Sequence, residues 1–363
     1  MIRHDHRGLV ITGVVVDDFI ITGDSDAACD TFANELMKVW DCTYLGDLEW
    51  CLNLRVKRDR VNGLMTIDQT EYVRDLVSKF RMQDAAPIST PADPYVQLTK
   101  DMGPDNDQQK REVEHVSYSS AVGSVLYTRL TRIDCIKAIT EVARFMHNPG
   151  KQHWKVMNHI IRYLKGTNQW GLCYHGTMDT GQQWTLTLYV DSSYANDPEK
   201  RRSHYNYIIF LNVNPISFVT GLAATTATST PEAEYVAMTH GVKELLCTYQ
   251  TLLIMGINVR LPISVMEDNQ TCIQITDNPV SQRRTRHMDV RDHFIRDHVE
   301  DGTITIRYCP TKDMLVDVLT KVMARPQFHR LRDKIVGDVM KFIKNDLLLS
   351  ASYCREIYNT LIV

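Results

Sequence analysis

No uninterrupted apolar run in the 363-residue chain approaches the roughly 18 residues of a bilayer-spanning helix, and the opening "MIRHDHRGLV" lacks the apolar core of a secretory signal. A dominant charge is missing too. Forty-one basic and 44 acidic residues leave a formal −3, so nucleic-acid affinity does not follow from overall charge and must be sought locally. The nine cysteines are scattered, with no C-x-x-C pair and no tight cluster with histidine, which reads as reduced thiols inside a cell. These absences predict a soluble intracellular protein, cytoplasmic or nuclear, without a membrane partner. What is present is 44% hydrophobic content and enough length for two or three domains.

Two β-prone runs in "LVITGVVVDDFIITGD", residues 9–24, meet at Asp17 and Asp18 and predict a hairpin with an acidic turn. Ala28, Phe32, Leu36 and Val39 recur at helical spacing over 26–40; a strand, a turn at Asn62-Gly63, a short strand and a helix over 69–80 follow. Residues 85–116 open in a Pro-, Asp- and Gln-rich stretch and read as a linker. Three helices are expected over 117–165, broken at "HNPG", with Trp154, Met157, Ile161 and Leu164 on a core-facing stripe. Strands follow at 184–191, 204–211 and 214–220, then a helix at 231–255, a strand at 263–267, helices at 269–276 and 287–299, and a strand at 303–309. A short helix at 312–321 and a final helix from 326 complete the pattern, which predicts a mixed five-stranded sheet flanked by helices. The expected partition is 1–84, a linker 85–116, a helical region 117–180, an α/β domain 181–346 and a tail 347–363.

Four acidic residues fall at element edges in the α/β part. Asp191 ends its first strand, Glu234 lies in the first turns of the long helix, Asp268 follows the fourth strand and Asp317 sits in a late short helix. If the strands ending at 191 and 267 are neighbours, these carboxylates converge on a site without thiol or imidazole, which suits hard ions such as Mg2+ or Mn2+. Two such ions about 4 Å apart activate water and stabilise the leaving oxygen of a phosphodiester. Spacing alone leaves the bland reading open, because acidic residues at strand ends are commonly solvated and Glu234 suits a helix N-terminus.

The motifs "YVDSSYA", "STPEAEYVA", "EDNQTCI", "RRTRHMDVRDHFIRD" and "TKDMLVDVLTK", in that order, resemble the ribonuclease H domain of copia-type long-terminal-repeat retrotransposon Pol polyproteins. Upstream, "VVVDDFIITGD", "YLGDLEWCLNLRVKR" and the segment from "YSSAVGSVLY" to "IIRYLKGT" resemble the palm end, thumb and connection of the same polyprotein's reverse transcriptase. The resemblance covers residues 9–337. It implies a partial α+β reverse-transcriptase palm with thumb and connection helices, then an α/β ribonuclease H-like domain with a mixed five-stranded sheet. It also implies that Asp191, Glu234, Asp268 and Asp317 are both catalytic and metal-binding, with two Mg2+ ions and Mn2+ as a substitute. The implied reaction is hydrolysis of the RNA strand of an RNA/DNA hybrid, with the 2′-hydroxyl as the handle for strand choice. Asp17 and Asp18 correspond to a polymerase acidic hairpin, but its third aspartate lies well upstream in the family, so autonomous DNA synthesis is not expected and an upstream reverse-transcriptase segment or chain becomes an expected partner.

Residues 271–345 carry more Lys and Arg than Asp and Glu, with the densest run at Arg283, Arg284 and Arg286, followed by Arg291. Together with His287 these are the candidate nucleic-acid contacts, although such runs are also ordinary solvated faces. The chain departs from the family's pattern in several places: Val15 stands before "VDD" where an aromatic is usual, Phe218 replaces a tryptophan, Ile133 replaces a proline, and no basic residue occurs from 212 to 230. The loop before Asp317 has no histidine for proton transfer. These departures keep a second expectation open, an inactive remnant that binds nucleic acid or serves a structural role.

Overall fold

A computed structural model of the chain describes residues 1–106, 108, 117–176, 183–197, 200–277 and 289–344. Strands β1 (Ile2–Asp5), β2 (Gly8–Val15) and β3 (Asp18–Gly23) form an antiparallel sheet in that order. Val15 pairs with Asp18 across a tight turn in which Val16 adopts a left-handed φ of 54°, leaving Asp17 and Asp18 exposed at the tip. Helix α1 (Asp26–Val39) starts where the Ser25 hydroxyl accepts the Ala28 N–H, and packs Ala28 and Phe32 on Val10.

A second antiparallel sheet draws on distant parts of the chain. Its strands are β4 (Trp50–Cys51), β5 (Leu54–Asp59), β6 (Leu64–Asp68), β7 (Trp170–His175) and β13 (Gly337–Asp338), in the order β13-β7-β6-β5-β4. Helix α2 (Thr70–Lys79) follows β6, and α3 (Tyr118–Thr128), α4 (Ile136–Ala143) and α5 (Lys151–Gly166) form the helical block. Met157, Ile161 and Leu164 are fully buried in its core, and Trp154 packs partly buried against it, edge-on to Tyr118. Ile133, in the position where the family has proline, opens a 3-10 turn and is fully buried.

The proline-rich stretch runs as a strap along α5. Its carbonyls at Thr90 and Thr99 bond His159 and His153 at 2.9 and 3.1 Å, and those at Ala85 and Ala86 accept from Lys165 and Arg162 at 2.8 and 2.7 Å. An irregular segment near a core needs such partners for its backbone, and α5 supplies them.

The third sheet has the order β10-β9-β8-β11-β12. Strands β8 (Leu186–Ser193), β9 (His204–Leu211) and β10 (Asn214–Leu222) are antiparallel, while β11 (Ile263–Glu267) and β12 (Ile304–Tyr308) run parallel to β8. Helices α6 (Thr230–Ile254), α7 (Gln270–Asp277) and α8 (Asp289–Glu300) precede β12; α9 (Asp317–Thr320), α10 (Arg325–Arg332) and α11 (Val339–Lys344) follow it. Side chains alternate along β8, so Leu186, Leu188 and Val190 pack on α6 while Tyr189 faces the core of the helical block, together with Ile208, Phe210 and Met266. Both faces of this sheet are therefore covered, one of them by the connection helices. This is the α/β fold with a mixed five-stranded sheet and flanking helices read from the sequence.

Two local differences follow from short-range chemistry. The helix expected at 312–321 divides into a 3-10 turn at Thr311–Asp313 and the one-turn α9, and the helix expected from 326 ends at Arg332 so that Gly337 and Asp338 can pair with β7. The basic run Arg283, Arg284, Arg286 and His287 and the tail 347–363 lie outside the described residues; Arg291 lies on α8, its side chain also outside them. Among the described residues no helix is long and apolar enough to cross a membrane.

Candidate active site

Strand β8, central in the sheet, carries the buried Asp191 near its C-terminal end, where β11 lies beside it in parallel and delivers Asp268 one residue past its own end. Ser229 caps α6 by accepting the Glu232 N–H, fixing the helix start so that Glu234 falls in its second turn. Close approach of α6 to β8 depends on Gly241, where a Cβ would stand 2.7 Å from Val190 Cγ1. In consequence one carboxylate oxygen from each of Asp191, Glu234 and Asp268 lies within 4.8 Å of the others, and among the described residues this is the one group of three metal-competent side chains.

Asp317 opens α9 beside Asp191, outside the 4.8 Å group. Lys321 Nζ stands between them, 2.7 Å from Asp317 Oδ1 and 3.4 Å from Asp191 Oδ2. Asp268 is the accessible member, half-buried and accepting the Thr311 hydroxyl at 2.9 Å. Asp191, Glu234 and Asp317 are buried. Glu234 Oε2 and Asp317 Oδ2 have no hydrogen-bond partner, and Asp191 Oδ2 has Lys321 at ion-pair distance only.

Two members of this neighbourhood escaped the sequence reading. Glu267, the residue before Asp268, is fully buried, with one oxygen accepting the Asn269 N–H at 2.9 Å and the other unpartnered. Its signal was register: Ile263 and Val265 are core residues of β11, and a glutamate two places further on the same face is out of keeping with a core position. Lys321 stands four residues after Asp317, the spacing at which acidic and basic side chains meet on a helix.

Burial, reinforced by mutual repulsion, pushes the carboxyls of Asp191, Glu234, Glu267 and Asp317 upward. For Asp191 and Asp317, Lys321 opposes the shift; for Glu267, backbone N–H groups do. Burial disfavours the charge on Lys321, but Asp191 and Asp317 outweigh it and hold the ammonium above its ordinary range. Such an array is costly to ionise alone and is relieved by cations. Its donor set is all carboxylate, with orphaned buried oxygens at its centre, which fits a hard divalent ion.

Asp17 and Asp18 remain exposed at their hairpin tip, and among the described residues no third metal-competent side chain groups with them. In α2, Tyr72 donates to the Ser124 carbonyl at 2.9 Å and exposed Arg74 pairs with Glu71. Phe218 packs partly buried against the core shared with the helical block, so the smaller ring keeps an apolar contact.

Residues 1–94 match the family model described as reverse transcriptase (RNA-dependent DNA polymerase). The chain is 32% identical over 334 residues to the retrovirus-related Pol polyprotein from transposon TNT 1-94 of Nicotiana tabacum, covering 92% of this chain and 25% of that protein. It is 30% identical over 331 residues to the Pol polyprotein from transposon RE1 of Arabidopsis thaliana, covering 91% of this chain and 22% of that protein. The chain thus spans about a quarter or less of these curated relatives. Among solved structures, LC11-RNase H1 isolated from compost covers 35% of this chain and 86% of its own, at 12% identity and a TM-score of 0.26. With nine-tenths of its length aligned to such polyproteins, the chain belongs to the copia-type long-terminal-repeat retrotransposon Pol family, as a segment with reverse-transcriptase and ribonuclease H-like sequence.

Proposed function

We propose that the chain hydrolyses the RNA strand of RNA/DNA hybrids with divalent metal ions. The observation that carries this reading is the approach of Asp191, Glu234 and Asp268 to within 4.8 Å, beside Asp317, with buried oxygens left unpartnered. These four residues would hold two Mg2+ ions, for which Mn2+ would substitute. Bound there, the ions would supply an activated water and neutralise charge developing on the phosphodiester. The protein's own part is electrostatic and positional. The buried carboxylates concentrate negative charge that excludes a phosphate until it is neutralised, and half-exposed Asp268 leaves the solvent side open.

The part comprising residues 181–346 would carry the cleavage, with Arg283, Arg284, Arg286, Arg291 and His287 as contacts to the hybrid's backbone. The excess of Lys and Arg in residues 271–345 supports that assignment. The elements before it would seat an upstream reverse-transcriptase segment or chain, for which the match of residues 1–94 to a polymerase family is the support. Polymerisation by this chain alone is not part of the proposal, because Asp17 and Asp18 need a third carboxylate.

The test is cleavage of labelled RNA/DNA hybrid in Mg2+, Mn2+ or EDTA, beside Asp191→Asn and Glu234→Gln. Metal-dependent cutting that both substitutions abolish is the expected result. Tight hybrid binding with no cutting in any ion would instead establish the inactive nucleic-acid-binding remnant.

A further inference from the structure

Asp191 is shared between two differently furnished sides. Toward Glu234 and Asp268 it meets carboxylates alone, and among the described residues neither of those two has an ion pair at all. Toward Asp317 it meets the Lys321 ammonium, 3.4 Å from Asp191 Oδ2 and 2.7 Å from Asp317 Oδ1. Lys321 is not a loose surface side chain that strayed into the site. Its backbone N–H bonds the Asp317 carbonyl at 2.8 Å and closes the turn of α9, so its Cα is fixed relative to Asp317. The side chain is 42% exposed, against 2% and 0% for the two carboxylates it joins, so the ammonium enters from the solvent rim and can leave by the same path.

We infer that Lys321 is a built-in occupant of one of the two cation positions, the one between Asp191 and Asp317, and that a divalent ion takes that position only by displacing it. An ammonium and a divalent ion cannot share the same pair of oxygens, because the repulsion between them acts at contact distance in a poorly screened setting. On the other side, among the described residues neither Glu234 nor Asp268 has a cation at ion-pair distance, and only Asp191 is shared with Lys321. The two positions are therefore unequal: the triad binds an ion directly, and the Lys321 side binds one weakly and releases it readily. The inference deepens the proposed nuclease reading and rests on it for its significance, but ion binding can be read without any cleavage.

The full chain is titrated with Mn2+ as wild type, Lys321→Met and Lys321→Arg, following bound ion by electron paramagnetic resonance and heat by calorimetry, with circular dichroism to confirm the fold. Wild type should show one tighter and one weaker equivalent. Lys321→Met should tighten the weaker one by at least about thirtyfold, the fully water-screened limit for removing a unit charge about 4 Å from a divalent ion, and leave the tighter one in place. Lys321→Arg should keep the wild-type inequality. A Lys321→Met titration that superimposes on wild type, or that loses both equivalents, overturns the inference. If wild type binds and cleaves but the titrations coincide, this inference falls alone; if no variant binds Mn2+ at all, the nuclease reading falls with it.

Discussion

Replacing Asp191 with asparagine should stabilise the metal-free protein at about pH 8 and leave it unchanged at about pH 4. Burial, helped by the charges of Asp317 and Asp268, raises this carboxyl from 3.8 to about 7 in spite of Lys321. A folded value above the unfolded one favours folding while the group is protonated. That contribution is intact below the unfolded value, declines as pH rises, and is lost above the folded value. Between 3.8 and about 7 the loss amounts to about 4 kcal/mol, which asparagine avoids. The gain is then on the order of 4 kcal/mol, or roughly 5 °C in Tm. The assay is thermal unfolding by circular dichroism at both pH values, in EDTA and in Mg2+. Added Mg2+ should reverse the order at the higher pH, because wild type keeps the ligand that the variant lacks. A variant no more stable than wild type in EDTA at the higher pH would refute the claim that this site is strained by its own charge.

Glu234→Gln, which preserves shape, should lower hybrid cleavage by about 10²–10³-fold or more in a single-turnover assay while leaving the circular dichroism spectrum unchanged. Arg132 is 1% exposed and pairs with buried Asp134 at 2.8 Å, so Arg132→Met should cost about 3–5 kcal/mol in urea denaturation, with part recovered in the double variant Arg132→Met/Asp134→Leu. At Gly150 a Cβ would lie 1.8 Å from the Met102 carbonyl oxygen, so Gly150→Ala should loosen the strap and speed limited proteolysis within residues 85–103.

Most of this architecture was legible because its signals are local. Strand β11 and the long helix α6 have unmistakable periodicity or composition, and the turn at Gly63, whose φ is 66°, is announced by Asn62-Gly63. The second sheet was not legible as a sheet, since pairing Leu64–Asp68 with Gly171–His175 joins residues about a hundred positions apart and nothing in either run names its partner. The strap looked unstructured because its order comes from histidine, lysine and arginine side chains on α5 rather than from a pattern of its own. At the site, Asp191, Glu234, Asp268 and Asp317 were found through motif order, whereas Glu267 and Lys321 emerged only with register and distance.

The shared packing across the third sheet makes the acidic site inseparable from what precedes it. A protein expressed from residue 183 onward would bare Tyr189, Ile208, Phe210 and Met266, which otherwise lie against the helical block, and would sacrifice the pairing of Gly337 and Asp338 with β7. Such a truncation should aggregate before its chemistry could be measured.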